Sequence, residues 1–217
     1  MQIIFMRHME SEKNISKIFS SYRDSEELTE HGLNMGRKIS SVIHEYIKKN
    51  NFKVTYIYCA NSKRAITTAG FLASEINVCV KAFDKLRSNN SGALKGKTEE
   101  EARMINPLFV KQLELYRAGL FSSYDFVKVY EREDKRSFEK NVASCIENIL
   151  NDTSEDLKIF VLHHSSLTAA MIYFARKFYN YPSDFYGRVE CDLGNIYLLD
   201  LNEIILCNKP ASELLNL

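Results

Sequence analysis

Apolar positions along this chain fall into short runs and longer helical stripes. Residues 2–6, Gln-Ile-Ile-Phe-Met, form a brief apolar run ending at charged residues, the pattern of a strand buried on both faces. In 29–50, Leu33, Ile39, Val42, Ile43, Tyr46 and Ile47 share one stripe, with Lys and Glu elsewhere. Thr29 or Glu30 can begin that helix, and Lys48-Lys49 suit its C-terminal dipole. Residues 54–59 are β-branched and aromatic and predict a second strand. A helix over 62–76 with Ser62 at its N-cap and a third short strand over 77–83 follow.

The stretch 86–97 carries Asn89-Asn90-Ser91-Gly92 and Gly96 and predicts a loop. Thr98 before Glu99, Glu100 and Glu101 is an N-cap with an acidic first turn. Polar helical spacing then runs to about 151, with one break near 119–125. Residues 157–162 are the most strand-like segment of the second half, 165–179 are helical, and Pro182 stands where that helix would stop. Strand candidates lie at 196–201 and 203–206, and the last ten residues predict a loose tail or short helix. Strands alternating with helices imply an α/β sandwich on a mostly parallel sheet. With no repeat, no Pro/Gly-rich linker and only three prolines, 1–217 reads as one domain with a helical cap inserted at about 97–151.

Composition narrows the class. The chain has 217 residues, 45% hydrophobic and 26% charged, as in an ordinary globular protein. Lys+Arg number 29 against 28 Asp+Glu, and a net charge of +1 argues against a protein that coats nucleic acid or an anionic membrane. A small, locally basic pocket is compatible with it. Cys59, Cys79, Cys145, Cys191 and Cys207 are odd in number, widely spaced and without a C-x-x-C pair, so free thiols are expected rather than a disulfide scaffold or zinc ribbon. No apolar run approaches ~20 residues, and the N-terminal one meets Arg7 too early for a signal segment. A soluble, cytoplasmic protein without nucleic-acid or membrane partners is expected.

Ligands of open α/β sheets gather at the carboxyl ends of strands. Arg7-His8 follows the first strand, His163-His164 follows 157–162, and Arg64 lies just past 54–59. These residues could therefore converge on one sheet edge. A neutral imidazole can attack phosphorus, two arginines can hold phosphoryl oxygens, and a second histidine, if protonated, adds charge where it develops in the transition state. Such a site needs no metal and no cofactor. His44 beside the stripe of its helix is expected to be solvated, His31 to be structural, and 128–140 to be a solvated helical face.

These residues resemble the histidine phosphatase superfamily, the phosphoglycerate mutase-like fold. Arg7-His8-Met9-Glu10-Ser11 with Asn14 is similar to its R-H-x-x-S-x-x-N signature. Leu28-Thr29 with Gly32 resembles its L-T-x-x-G helix start, and Arg64-Ala65 with Thr68-Ala69 its R-A-x-x-T-A element. Gly92 and Gly96 before Glu100-Glu101 resemble its G-x-x-x-G-x-x-x-E-E stretch, and His163 its second histidine. The resemblance implies a three-layer α/β/α sandwich, mostly parallel with one antiparallel strand. It implies that His8 becomes phosphohistidine, that Arg7, Arg64 and His163 hold the phosphoryl group, that Asn14 is a further contact, and that Ser11 supports the loop.

The departures matter as much. The family's usual proton donor is a glutamate in L-x-E-x-x-x-G; Leu86 and Gly92 set that register here, and the position holds Ser88. The usual Ser-Pro is Ala60-Asn61, and the glycine after the second histidine is His164. Three readings follow: a donor from elsewhere, with His164, Glu99, Glu100 and Asp84 as candidates; a substrate whose leaving group needs little acid help; or a pocket that only binds phosphate. The missing glutamate, and the absence of an Arg- and Pro-rich segment in 97–151, favour water over a mutase acceptor. The expectation is a phosphatase for a small phosphomonoester, compatible with a homodimer, with Arg103, Lys111, Tyr116 and Arg117 of the cap candidates for reading the substrate.

Overall fold

The computed structural model describes residues 1–19, 26–152, 154–181, 189–200 and 203–217. Its strands are β1 (Gln2–Arg7), β2 (Tyr56–Ala60), β3 (Cys79–Phe83), β4 (Leu157–Leu162), β5 (Asn195–Asp200) and β6 (Glu203–Pro210). Its helices are α1 (Glu12–Ser16), α2 (Glu30–Asn50), α3 (Lys63–Ile76), α4 (Glu99–Ile105), α5 (Pro107–Arg117), α6 (Lys135–Leu150) and α7 (His164–Tyr179). Pro182 and Leu201, assigned roles above as a helix stop and a strand end, lie outside the described residues.

The strands form one sheet in the order β3-β2-β4-β1-β5-β6. β1 pairs in parallel with β4, β4 with β2 and β2 with β3, whereas β5 runs antiparallel to both its neighbours. The sheet is thus mostly parallel with one reversed strand. α2 packs on α3 and α6 on α7, which gives a helical layer on each face. Every residue of β4 is buried, as a central strand covered on both faces requires. Phe160 stacks between Phe5 and Tyr58, with centroids 4.9 Å and 5.3 Å away.

The topology itself locates the site. β2, β4 and β1 are adjacent and parallel, so their carboxyl ends meet at one edge. The residues that follow are Ser62 and Arg64, then His163, then His8. The His8 amide extends the β1–β4 ladder by donating to the Leu162 carbonyl at 2.9 Å.

Several local expectations change. Ser62 stands at the N-cap of α3 but makes no side-chain cap. The break after α5 is wider than 119–125: 118–134 contain no helix. In 128–140 the first part is irregular and Lys135 is largely covered, so this stretch is not a solvated helical face. Across 94–151 the packing divides. Phe138, Val142, Cys145, Ile146 and Ile149 of α6 join the main core, while Leu94, Ala102, Phe109, Val110 and Val129 form a small core of their own. The C-terminal residues Ala211–Asn216 make a 3-10 turn that buries Ala211 and Leu214 and packs on α2.

Gly32, in the first turn of α2, sits under the loop that follows His8. A Cβ there would lie 2.1 Å from the Glu10 carbonyl oxygen, which already accepts from the Thr29 amide at 3.1 Å. Gly70 of α3 has nothing within 4 Å of the same position. Gly32→Ala is expected to lower unfolding free energy by about 2–3 kcal/mol through overpacking, and Gly70→Ala to raise it by about 0.5–1 kcal/mol. Urea denaturation of both variants checks this; equal effects would contradict the packing described.

Candidate active site

Two histidines and one arginine form the centre, and all are buried: His8 and His163 are 3% exposed and Arg64 2%. His8 Nδ1 lies 2.8 Å from the Met9 carbonyl oxygen. A carbonyl only accepts, so Nδ1 carries the proton and Nε2 holds a lone pair, which accepts from Arg64 Nε at 3.1 Å. Arg64 Nη2 lies 3.2 Å from His163 Nδ1. Because guanidinium is donor-only, His163 is protonated on Nε2, which donates to Ser62 Oγ at 3.0 Å. The rings stand 5.1 Å apart, nearly edge to face at 69°.

Both imidazoles are held well below the ordinary histidine pKa. Burial is the first cause for each. For His8 the charges of Arg64 and Arg7 come next; for His163, His8 and then Arg64. Both are neutral at pH 7, as a nucleophilic nitrogen requires. Arg7 Nη1 donates to the Cys191 carbonyl at 3.0 Å; burial pushes the Cys191 thiol up to about 12, so it does not compete as a thiolate.

The surrounding loop explains the other motif residues. Asn14 Oδ1 accepts from the Ser11 amide at 3.0 Å and from Ser11 Oγ at 2.8 Å, closing the first turn of α1. The Met9 amide donates to Thr68 Oγ1 at 3.1 Å, and Thr68 Oγ1 donates to the Arg64 carbonyl at 2.8 Å, which ties this loop to α3.

A cavity of about 740 Å³ opens over the centre, lined by Arg7, His8, Asn14, Arg64, His163 and His164, with Ser88, Glu99, Glu100 and Arg117 around it. Ser11 is fully buried beneath and does not line it. Ser88 is 4% exposed and presents a hydroxyl where the resemblance expects a carboxylate. Of the candidate donors, Glu99 is bound by Arg117 at 2.7 Å, Glu100 and His164 are exposed at the cavity, and Asp84 is elsewhere, accepting from Asn61 Nδ2 at 2.8 Å. Of the candidate substrate readers, Tyr116 and Arg117 face cavities, whereas Arg103 and Lys111 do not. His44 lies 3.5 Å from Glu75, and His31 is exposed. Among the described residues no cluster of three or more His, Cys, Asp and Glu could hold a metal ion.

Sequence reasoning missed three site residues. Lys13 is 9% exposed, lines the cavity and adds positive potential at both histidines. Ser62 orients His163. Glu26 Oε2 accepts from Arg64 Nη1 at 3.2 Å. Only Lys13 had a signal, its place inside the Ser11–Asn14 turn.

The model of the histidine phosphatase superfamily (branch 1) matches residues 3–204. The chain belongs to this superfamily. It is 24% identical over 171 residues to a 2,3-bisphosphoglycerate-dependent phosphoglycerate mutase of Thermoplasma acidophilum, covering 79% of this chain and 74% of that protein. A probable phosphatase of Schizosaccharomyces pombe is 31% identical over 93 residues, 43% of this chain and 31% of that protein. Among solved structures, a mycobacterial glucosyl-3-phosphoglycerate phosphatase complexed with VO3 superposes with a TM-score of 0.77 at 14% identity, covering 96% of this chain and 98% of that one. The α-ribazole phosphatase from Shigella flexneri gives 0.73 at 17% identity, covering 96% of each chain. At these identities the likeness to solved structures shows a common fold. Within the superfamily's fold, the reversed strand β5 and the edge site of β1, β2 and β4 are the features on which the geometry above is built.

The neutral histidines make stability depend on pH. Their folded pKa values lie below the unfolded value of ~6.5, so the unfolded chain takes up protons first as pH falls. Their contribution is therefore complete above ~6.5 and is lost below it, at up to ~1.4 kcal/mol per pH unit for each histidine. Urea unfolding in phosphate-free buffer from pH 7.5 to 5.5 should show falling stability in the wild type and a shallower slope in His8→Gln. An equal slope in the two proteins would contradict the assignment of a neutral, buried His8.

Proposed function

We propose that the protein is a phosphatase that hydrolyses a small phosphomonoester through a phosphohistidine on His8. The observation that carries this reading is the tautomer of His8: Nδ1–H is fixed by the Met9 carbonyl and the lone pair of Nε2 lies beside Arg64. In the first step the Nε2–P bond forms and the bond from phosphorus to the leaving oxygen breaks. The Nε2 lone pair now accepts from Arg64 Nε, so the guanidinium gives that donor to a phosphoryl oxygen as substrate enters. Arg7 and Arg64 supply N–H groups around the phosphoryl oxygens, and His163 joins them when its Nε2–H turns from Ser62 Oγ to the phosphoryl group. In the second step water attacks phosphorus, inorganic phosphate leaves, and Nε2 regains its lone pair.

The leaving oxygen needs a proton unless it is already a good leaving group. Ser88 is a weak acid, and Glu99 is engaged by Arg117. His164 and Glu100, both at the cavity, are the proposed donors. A phosphoglycerate mutase activity has the Thermoplasma relative in its favour. Water remains the favoured acceptor, because a mutase depends on the carboxylate that Ser88 replaces.

Turnover of p-nitrophenyl phosphate between pH 5 and 8 tests the reading, since this leaving group needs little protonation. His8→Ala should lower the rate at least ~10³-fold, the scale of losing a covalent nucleophile. No turnover by the wild type at any pH would leave a phosphate-binding protein instead. Ser88→Glu should raise the rate on glycerol phosphate more than on p-nitrophenyl phosphate, by up to ~10²; a variant that slows both alike would show that Ser88 does not occupy the donor position.

A further inference from the structure

A second cavity, about 620 Å³, adjoins the first and shares Arg7, Arg117, His164 and Ser165 with it. Its far wall is aromatic, with Phe109, Tyr116 and Phe126, and it also holds Arg132 and Lys135. No Asp or Glu is among the described residues that line it. On the phosphatase reading Arg7, Arg64 and His163 hold the phosphoryl group, which leaves Arg132 and Lys135 of the second cavity outside that task.

Arg132 is placed there by the backbone. Gly92 adopts φ +58°, and a Cβ on it would meet the Tyr130 carbonyl oxygen at 2.2 Å and the Arg132 amide at 2.3 Å. That contact locks 130–132 against 91–93, with the Ala93 amide donating to the Tyr130 carbonyl at 2.9 Å. The Arg132 guanidinium lies 4.9 Å from the Phe109 ring centroid and 5.3 Å from that of Phe126. The carboxylates beside it in sequence are engaged elsewhere. Glu133 takes a bidentate pair from Arg87 at 2.7 Å and 2.8 Å, and Asp134 caps α6 by accepting from the Ser137 amide at 2.8 Å. Lys135 meets Glu139 at 3.3 Å, but that carboxylate also accepts from Tyr124 at 2.6 Å and faces Arg176 at 3.7 Å. Burial of Arg132 and Lys135 is unfavourable to their charge, so an incoming anion would relieve a standing cost.

We infer that the second cavity binds the far end of the substrate: an anionic group, carboxylate or second phosphate, on an aromatic or apolar body. Arg132 and Lys135 hold the anion and the Phe109–Phe126 wall holds the body. The inference rests on the phosphatase reading for the word substrate, but binding alone tests it.

Three non-hydrolysable ligands serve as probes: 4-carboxybenzylphosphonate, 4-carbamoylbenzylphosphonate and p-xylylene bisphosphonate. Titration calorimetry at fixed ionic strength in phosphate-free buffer reads their affinities. At least one of the two probes with an anionic far end should bind the wild type about tenfold or more tightly than the amide, and the better of the carboxylate and bisphosphonate identifies the anion. Arg132→Gln and Lys135→Gln should each bring that ratio towards one, with Arg132→Lys restoring part of it. Arg103→Gln, on the outer face where Arg103 pairs with Glu114 at 2.7 Å, should retain it. A wild-type ratio near one, or a ratio kept in Arg132→Gln, overturns the inference, as does failure of all three probes to bind. Turnover of p-nitrophenyl phosphate is scored separately: an intact ratio without turnover sinks the phosphatase reading alone, and turnover without a ratio sinks the second cavity alone.

Discussion

One guanidinium organises this molecule. Arg64 donates to His8 Nε2 at 3.1 Å and to His163 Nδ1 at 3.2 Å while itself almost wholly buried. An arginine cannot accept, so both imidazoles must present lone pairs to it, and their tautomers follow. Burial first, and this positive charge after it, keep both rings neutral. The tautomers thus follow from one contact, and the protonation state from the burial around it. The rest of the fold serves to make that contact possible: three parallel strands side by side, ending at one edge, each handing on one member of the group.

The loops around Arg64 are stiffened accordingly. Thr68, one turn further along α3, accepts from the Met9 amide and donates to the Arg64 carbonyl, so the loop after β1 and the start of α3 move as one piece. Glu26 on the outer nitrogen of Arg64 offsets part of its charge. Where the resemblance expects a carboxylate the chain carries Ser88, and His164 stands at the cavity. On the proposed mechanism, a nucleophile with its clamps intact and its acid displaced gives a rate that depends on the leaving group. The small separate core of Leu94, Ala102, Phe109, Val110 and Val129 supports the wall of the neighbouring cavity, which Phe109 lines.

Much of this was legible in the chain. The apolar runs gave β1 and β4, the stripe gave α2, and their alternation with helices gave the α/β class, because these elements are dictated by local period. Arg7, His8, Arg64 and His163 were found because strand ends are predictable and motif order is local. What escaped depends on long-range contact. Ser62 looked like a helix cap, yet its hydroxyl is spent on His163, 101 residues away. Nothing near Glu26 points to Arg64. Residues 118–134 read as helix with one break, but Arg87–Glu133 pairing and the close approach at Gly92 hold them in an irregular path. Lys135, expected in solvent, is largely covered and lies against Glu139 and the Phe138 ring.

On the proposed mechanism His8 Nε2 accepts the phosphoryl group. Rapid mixing with p-nitrophenyl phosphate, alkaline quenching and peptide mass spectrometry test it most directly. The account predicts an acid-labile, base-stable phosphate on the peptide that carries His8, formed before nitrophenol release reaches its steady rate. Turnover with phosphate found on His163 or Ser88, or with no phosphopeptide at any time, would contradict it.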